Sequence, residues 1–389
     1  MKFIIGLAGF ITAFIFLIFS MVLLQRDKPK YTSNKIFAGF LNLNILLIVF
    51  SYLFMQNILR PKDLVLLYFF IASLYYLLAP ILYLYFYKSI TGLNLLNFKL
   101  LLHFIPLTAC FLYLSLGHFI RLSGAEDINN VRLWTDTNFT IYIILLHIQI
   151  FIYVLLSAKL VKNYFNDAKK NFSNLSKFEL NWYKLVLAVF IIHWFLDITT
   201  AFAAYWYKGL VEISELFSFS ALLAFASIVV YRGLKNDSVL LTSVKEKYSN
   251  SNITVNQKSE YVDKLKMFME NKKPYLSPEL TLKELADLIE IHPKYLSQII
   301  NETFHQNFFD FINGYRVEEA KRRLQKSTTN GNKTILELLY DVGFNSKSAF
   351  NRAFKKQLGI TPTQFKRSQL SLQPEAKKTH SFDKKSSNS

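Results

Sequence analysis

The sequence predicts an all-α protein in two parts, a bundle of seven apolar helices followed by a polar domain of shorter helices. Three observations carry this reading. Seven apolar runs of about 20 residues, each long enough to cross a bilayer, fill the first 232 positions. Charged residues divide unevenly, with 29 of the 72 in residues 1–232 and 43 in residues 233–389. The net charge of +18 still divides evenly, +9 and +9, and 52% of all residues are hydrophobic, so charge density rather than sign separates the two parts.

Taken in order, the apolar runs lie near Phe3–Leu24, Ile36–Ile58, Leu64–Tyr87, Phe98–Ile120, Phe139–Leu160, Trp182–Ala204 and Leu210–Tyr231. The first is too long for a signal peptide core, has only Lys2 before it, and lacks a small-residue cleavage site after it. An odd number of spans puts the two ends on opposite sides, and basic loops belong to the cytoplasm. The first, third and fifth loops hold Arg26, Lys28, Lys30, Lys35, Lys88, Lys162, Lys169, Lys170 and Lys177; the others hold Arg60, Lys62, Arg121, Arg132 and Lys208, with Glu126, Asp127 and Asp136. This distribution predicts a multi-pass protein of the inner (cytoplasmic) membrane, N-terminus outside and everything after Arg232 in the cytoplasm. The one cysteine, Cys110, falls in the fourth run, which excludes an intrachain disulfide or a thiolate-rich zinc site.

Residues 1–232 therefore form a membrane domain and 233–258 a polar linker. Ser259–Asn271 reads as an amphipathic helix with Tyr261, Leu265, Phe268 and Met269 inward. Thr281 with Glu284 is a capping box opening a short helix that contributes Leu285, Ile289 and Ile291. A second helix starts at Pro293, a favoured first helical residue, and runs to Thr303. It turns Leu296, Ile299 and Ile300 inward and Lys294, Ser297, Gln298 and Asn301 outward. Phe308–Gln325 predicts one long connecting helix, and Ser327–Lys333 a polar break.

The pattern then repeats. Thr334 with Glu337 is a second capping box, 53 residues after the first, followed by the apolar stripe Ile335, Leu338, Leu339 and Val342. Gly343 supplies the positive φ that ends this helix and lets the chain swing. From Ser346 another helix places Ala349, Phe350, Ala353 and Phe354 on one face, and Lys347, Ser348, Asn351, Arg352, Lys355 and Lys356 on the other. After the turn the offset grows to 54, so Ser297, Gln298 and Asn301 fall on Asn351, Arg352 and Lys355, and the second copy carries one extra turn residue. Long donors opposite an apolar face are what a helix lying in a DNA groove requires, although a solvated surface helix has the same pattern. Residues 368–389 lack periodicity and read as a disordered tail.

Val342-Gly343-Phe344, Phe350-Asn351-Arg352-Ala353-Phe354-Lys355-Lys356 and Gly359-Ile360-Thr361-Pro362 resemble, in order and spacing, the signature of the AraC/XylS-type transcriptional regulators. The resemblance covers about residues 259–367. It departs at Leu339, where that family usually carries a small alanine. It implies an AraC-type domain of two helix-turn-helix units joined by a long helix, with double-stranded promoter DNA as partner. By motif position it implies base contacts from Lys294, Ser297, Gln298, Asn301, Lys347, Ser348, Asn351 and Arg352. Phosphate contacts would come from Arg316, Lys355 and Lys356.

No phosphate-binding glycine loop, nucleophile motif or kinase signature occurs, and glycine numbers only 12; the expectation is a non-enzyme with no cofactor, metal site or catalytic residue. Ionisable residues within apolar runs are costly and often functional. His193 and Asp197 share a helical face, and Glu212 with Glu215 opens the last run, with His118 and His147 in outer halves. These four, His193, Asp197, Glu212 and Glu215, make a candidate site for an unknown small molecule or ion. Mutual satisfaction of polar groups inside a helix bundle is the commoner reason for such residues. The expected function is a membrane-anchored one-component regulator, with a homodimer as candidate assembly. The competing readings are a receptor or transporter whose basic tail docks a protein, and an intramembrane enzyme centred on the same four residues.

Overall fold

The computed structural model describes residues 2–25, 32–56, 58, 64–92, 102–123, 137–175, 180–206, 211–235, 255–326 and 334–371. Among them the chain is nearly all helical, with no extended strand and a single isolated β-bridge between Phe172 and Thr281. It divides into two compact units, the first Met1–Tyr164 with Phe178–Lys245, the second Phe165–Lys177 with Glu246–Ser389.

The first unit is built from α1 (Lys2–Leu24), α2 (Thr32–Met55), α3 (Val65–Thr91), α4 (Ile105–Ser123), α5 (Thr137–Asn171, whose last residues belong to the second unit), α6 (Leu180–Trp206) and α7 (Val211–Lys235). α1 packs on α2, α2 on α3, α3 on α4 and α6 on α7, and α1 closes back on α7. Large apolar side chains point outward, with Phe3 79%, Phe10 72% and Phe119 69% exposed, while Asn44 and Ser73 are buried. Each of these two returns its hydrogen bond to a backbone carbonyl one turn earlier, Asn44 to Phe40 (2.8 Å) and Ser73 to Phe69 (2.7 Å). Between α3 and α5, Tyr76 donates to the Tyr142 carbonyl (2.9 Å) and Tyr142 to that of Ala72 (2.7 Å).

Seven spans were expected; among the described residues five helical stretches are long and apolar enough to cross a membrane, namely Phe3–Leu24, Ser33–Phe54, Val65–Thr91, Thr140–Asn171 and Trp182–Phe202. Leu102–Gly117 and Ile213–Ile228 are shorter apolar helices. Ile213–Ile228 lies within α7 (Val211–Lys235), and Leu102–Gly117 overlaps α4 (Ile105–Ser123). The fifth helix, conversely, continues past the expected Leu160. Buried Val161, Tyr164 and Ala168 keep the helical spacing after hydropathy has fallen.

The second unit contains α8 (Val255–Lys272), a 3-10 turn at Pro274–Leu276, α9 (Leu282–Leu288), α10 (Pro293–Thr303), α11 (Phe308–Lys326), α12 (Ile335–Asp341), α13 (Lys347–Leu358) and α14 (Pro362–Ser371). Its apolar core has two lobes. One gathers Leu265, Met269, Leu285, Leu296, Ile299, Phe308, Phe311 and Ile312, the other Val317, Ala320, Leu324, Leu338, Leu339, Phe350 and Phe354. Helix α11 gives its first half to one lobe and its second half to the other, and Leu276 packs against both. The expected linker 233–258 and the break 327–333 fall largely outside the described residues. Helix α14 continues to Ser371, past the 368 at which the tail was expected to begin, its start capped by Thr361 accepting from the Gln364 amide (3.3 Å) and its Phe365 set against Phe354; the rest of the expected tail lies outside the described residues.

Candidate nucleic-acid interface

The internal repeat is visible helix by helix. α9 and α12 start 53 residues apart; α10 and α13, and then α11 and α14, start 54 apart. Both capping boxes form in full: Thr281 accepts from the Glu284 amide while Glu284 accepts from that of Thr281, and Thr334 with Glu337 does the same. The turn after each first helix needs a left-handed residue. The second copy uses Gly343 (φ 90°) and the first uses Glu290 (φ 56°) at the equivalent position. His292 caps α10 and Ser346 caps α13, which identifies Asn345 as the extra turn residue.

Lys347, Ser348, Arg352, Lys355 and Lys356 are exposed on α13, with Asn351 half-buried. Arg352 Nε rests on the Ser348 carbonyl (3.3 Å), and Lys356 pairs with Asp310 of α11 (3.0 Å). On α10, Asn301 is exposed and Lys294, Ser297 and Gln298 are half-buried. This ridge is tied internally: Asn301 donates to the Ser297 carbonyl (2.8 Å), and Gln298 donates to Glu302 (2.9 Å), which Lys258 also holds (2.7 Å). Those two bonds, Lys258 first, keep the Glu302 carboxyl below its usual range. The sequence reading missed Glu302 and Lys258. The i, i+4 spacing from Gln298 was the available signal for the first; nothing local marks the second.

Arg316 does not meet its expected phosphate role. It is 1% exposed and sits on α11 where the two lobes meet. Its Nε donates to the Tyr275 carbonyl (2.7 Å), Nη1 to Asn313 Oδ1 (3.1 Å) and the Ser173 carbonyl (3.2 Å), and Nη2 to the Ser277 carbonyl (2.8 Å) and Ser173 Oγ (3.1 Å). The guanidinium also lies over the Phe344 ring, 5.7 Å from its centroid. Burial pushes its pKa down to about 10, opposed by Glu279, so it remains charged at neutral pH. One turn on, buried Glu319 collects Arg322, Arg323 (2.8 Å) and Lys273 (3.5 Å). Arg316 thereby joins the connecting helix to the Tyr275–Ser277 turn and to Phe344 of the second unit, and Glu319 joins it to Lys273.

Within the first unit, His193 Nε2 lies 3.6 Å from Asp197, and Ser218 of α7 meets His193 Nδ1 (2.8 Å) while donating to Asp197 (3.3 Å). Trp194 donates to His147 Nδ1 (3.1 Å). Thus two of the four expected ligand-site residues come together, joined by Ser218, which the sequence reading overlooked although it shares a helical face with Glu215. The side chains of Glu212 and His118 lie outside the described residues. Among the described residues no group of three potential metal ligands occurs.

Two helix-turn-helix units on a common helix, each with a capped entry and a polar outward ridge, define a helix-turn-helix domain. Residues 285–368 match a family model described as "Helix-turn-helix domain". The chain is similar to an uncharacterized HTH-type transcriptional regulator, YobQ, of Bacillus subtilis (strain 168), at 33% identity over 88 residues, 23% of this chain and 35% of that one. It is similar also to a putative AraC-like transcription regulator of Streptomyces lividans, at 30% over 87 residues, 22% of this chain and 27% of that one. The matched part thus spans about a third or less of these relatives' lengths. Among solved structures, the C-terminal domain of AraT, a response regulator from Geobacillus stearothermophilus, aligns at 25% identity and TM-score 0.25, covering 34% of this chain and 98% of that one. Residues 285–368 accordingly form a helix-turn-helix domain, similar to part of these regulators.

Proposed function

We propose that this chain is a membrane-anchored one-component transcription regulator, in which the second unit reads promoter DNA and the apolar bundle receives the signal. The observation that carries the reading is the duplicated unit itself: α10 and α13 each turn a polar ridge outward, and both pack on α11. A rigid pair of recognition helices can reach successive major-groove segments about one turn, ~34 Å, apart. Base edges would be read by Lys294, Ser297, Gln298, Asn301, Lys347, Ser348, Asn351 and Arg352, and phosphates held by Lys355 and Lys356. Counting loop charges favours the N-terminus outside and the DNA-binding unit in the cytoplasm, the compartment that holds chromosomal DNA. The His193, Asp197 and Ser218 cluster is the proposed signal site.

Genome-wide mapping of bound sites, for the full chain and for a chain lacking residues 1–232, tests the proposal. Discrete sites shared by both, with altered occupancy on removing the bundle, are expected. Recovery of no discrete duplex by either chain would overturn the DNA-binding reading, and occupancy indifferent to the deletion would overturn the sensing role.

A further inference from the structure

The short segment after α5 is an integral part of the second unit. Phe172 bridges Thr281 in antiparallel register, and the Ser173 amide and hydroxyl both donate to the Leu280 carbonyl (3.2 and 2.6 Å). Asn174 donates to Glu279 (3.0 Å), whose same oxygen accepts from Asn345 (2.7 Å). Lys169 sits over the Phe165 ring at 4.5 Å and that of Phe309, on α11, at 5.9 Å. Ser173 is 2% exposed and gives Arg316 two of its acceptors. The segment therefore touches the residue at the meeting of the two lobes. Through Glu279 it also touches the extra turn residue next to the cap of α13.

We infer that Phe172–Asn174 is a regulatory strap: while docked it completes the Arg316 network and holds the two recognition helices at the separation DNA requires, and withdrawing it lowers DNA affinity. The strap is continuous in sequence with α5 before it and α6 after it, both helices of the bundle, so a rearrangement of the bundle has a covalent route to Arg316. Burial gives the device its leverage. A guanidinium deprived of neutral acceptors inside a core must find others or reach water, and either response moves α11 against the Tyr275–Pro278 turn. The inference rests on the DNA-binding reading above and adds what controls it.

The test uses the full chain in native membrane vesicles, with a genomic duplex recovered by the wild-type protein and a version with one half-site scrambled. Ser173→Leu cannot occupy the buried position and should release the strap. If the released domain holds the competent geometry about a tenth of the time, affinity for the intact duplex falls roughly tenfold, while affinity for the scrambled duplex stays unchanged. The paired substitution Asn174→Cys with Glu279→Cys sits on the antiparallel register, in a chain whose one native cysteine is buried Cys110. Mild oxidation should join 174 to 279, read as a linked peptide by mass spectrometry, and the locked chain should bind at least as tightly as the same variant kept reduced. Absence of the linked peptide, full affinity in Ser173→Leu, or weaker binding by the oxidised lock would each overturn the strap. If the wild-type chain binds no duplex at all, the regulator reading fails and this inference with it. A wild type that binds while the variants behave identically removes the strap alone.

Discussion

Gly343 offers a test of how tightly the second helix-turn-helix unit is built. Its φ of 90° lies where an L-residue is strained, and a Cβ placed there would stand 2.6 Å from the Tyr275 carbonyl oxygen and 2.8 Å from that of Leu276. Neither obstacle is a flexible side chain, and the first already accepts from Arg316 Nε. Gly359 (φ 77°) is the control, left-handed as well but with open space around its would-be Cβ. For Gly359→Ala only the conformational cost applies, about 1–2 kcal/mol. Gly343→Ala adds the displacement of a packed backbone, a further ~1–3 kcal/mol by analogy with overpacked cores. Both variants of the fragment Val255–Ser371 should be unfolded in urea, followed by far-ultraviolet circular dichroism, and compared at matched slopes. Gly343→Ala should be the less stable by about 1–3 kcal/mol. Equal destabilisation would refute the claim that the Tyr275–Leu276 carbonyls confine the turn.

Arg352→Ala should cost about 1–3 kcal/mol on the preferred duplex and little on unrelated DNA, whereas Lys355→Ala should weaken all DNA alike and flatten the salt slope by about one unit; binding titrations over a range of salt read both. Lys356→Ala should also weaken binding, and Asp310→Asn should leave that lysine to DNA alone and strengthen it, because the 3.0 Å pair with Asp310 competes for the ammonium. Thr281→Ala and Thr334→Ala each break a complete capping box and should each cost about 1 kcal/mol in the same denaturation assay. Asp197→Asn, and separately Ser218→Ala, should abolish the response of promoter occupancy to the signal while leaving membrane insertion intact, measured by occupancy mapping and membrane fractionation; a wild-type response in both would remove that cluster from the sensing role.

Much of the second unit was legible in the sequence because its determinants are local. Capping boxes, a proline at a first helical position, and glycine where φ must be positive each act within four residues. Hence Pro293–Thr303 was bounded as found, and Thr334, Gly343 and Ser346 occupy the roles their residue types suggest. Leu339 departs from the small residue usual in the resembled family, yet it is 0% exposed within the second lobe, so the core accommodates its volume. Glu290 escaped notice because a non-glycine residue in left-handed geometry leaves no mark except the homologous position in the repeat.

What local patterns cannot carry is the partner of a long side chain. Arg316 lies on a mostly polar stretch of α11 and could be placed at phosphate by motif alone; its burial depends on carbonyls 38 to 41 residues away and on Ser173, 143 residues away. Ser173 itself is one polar residue in a polar loop, without periodicity or motif. Yet it supplies two of the acceptors that make burying a cation at the meeting of the lobes tolerable, since a buried charge is sustained only when its hydrogen bonds are filled. A helix-turn-helix domain completing its inner network from its own turns would bind DNA independently of anything upstream. Here part of that network comes from a loop between two helices of an apolar bundle, which ties the geometry of α10 and α13 to a segment that the sequence presents as mere connection.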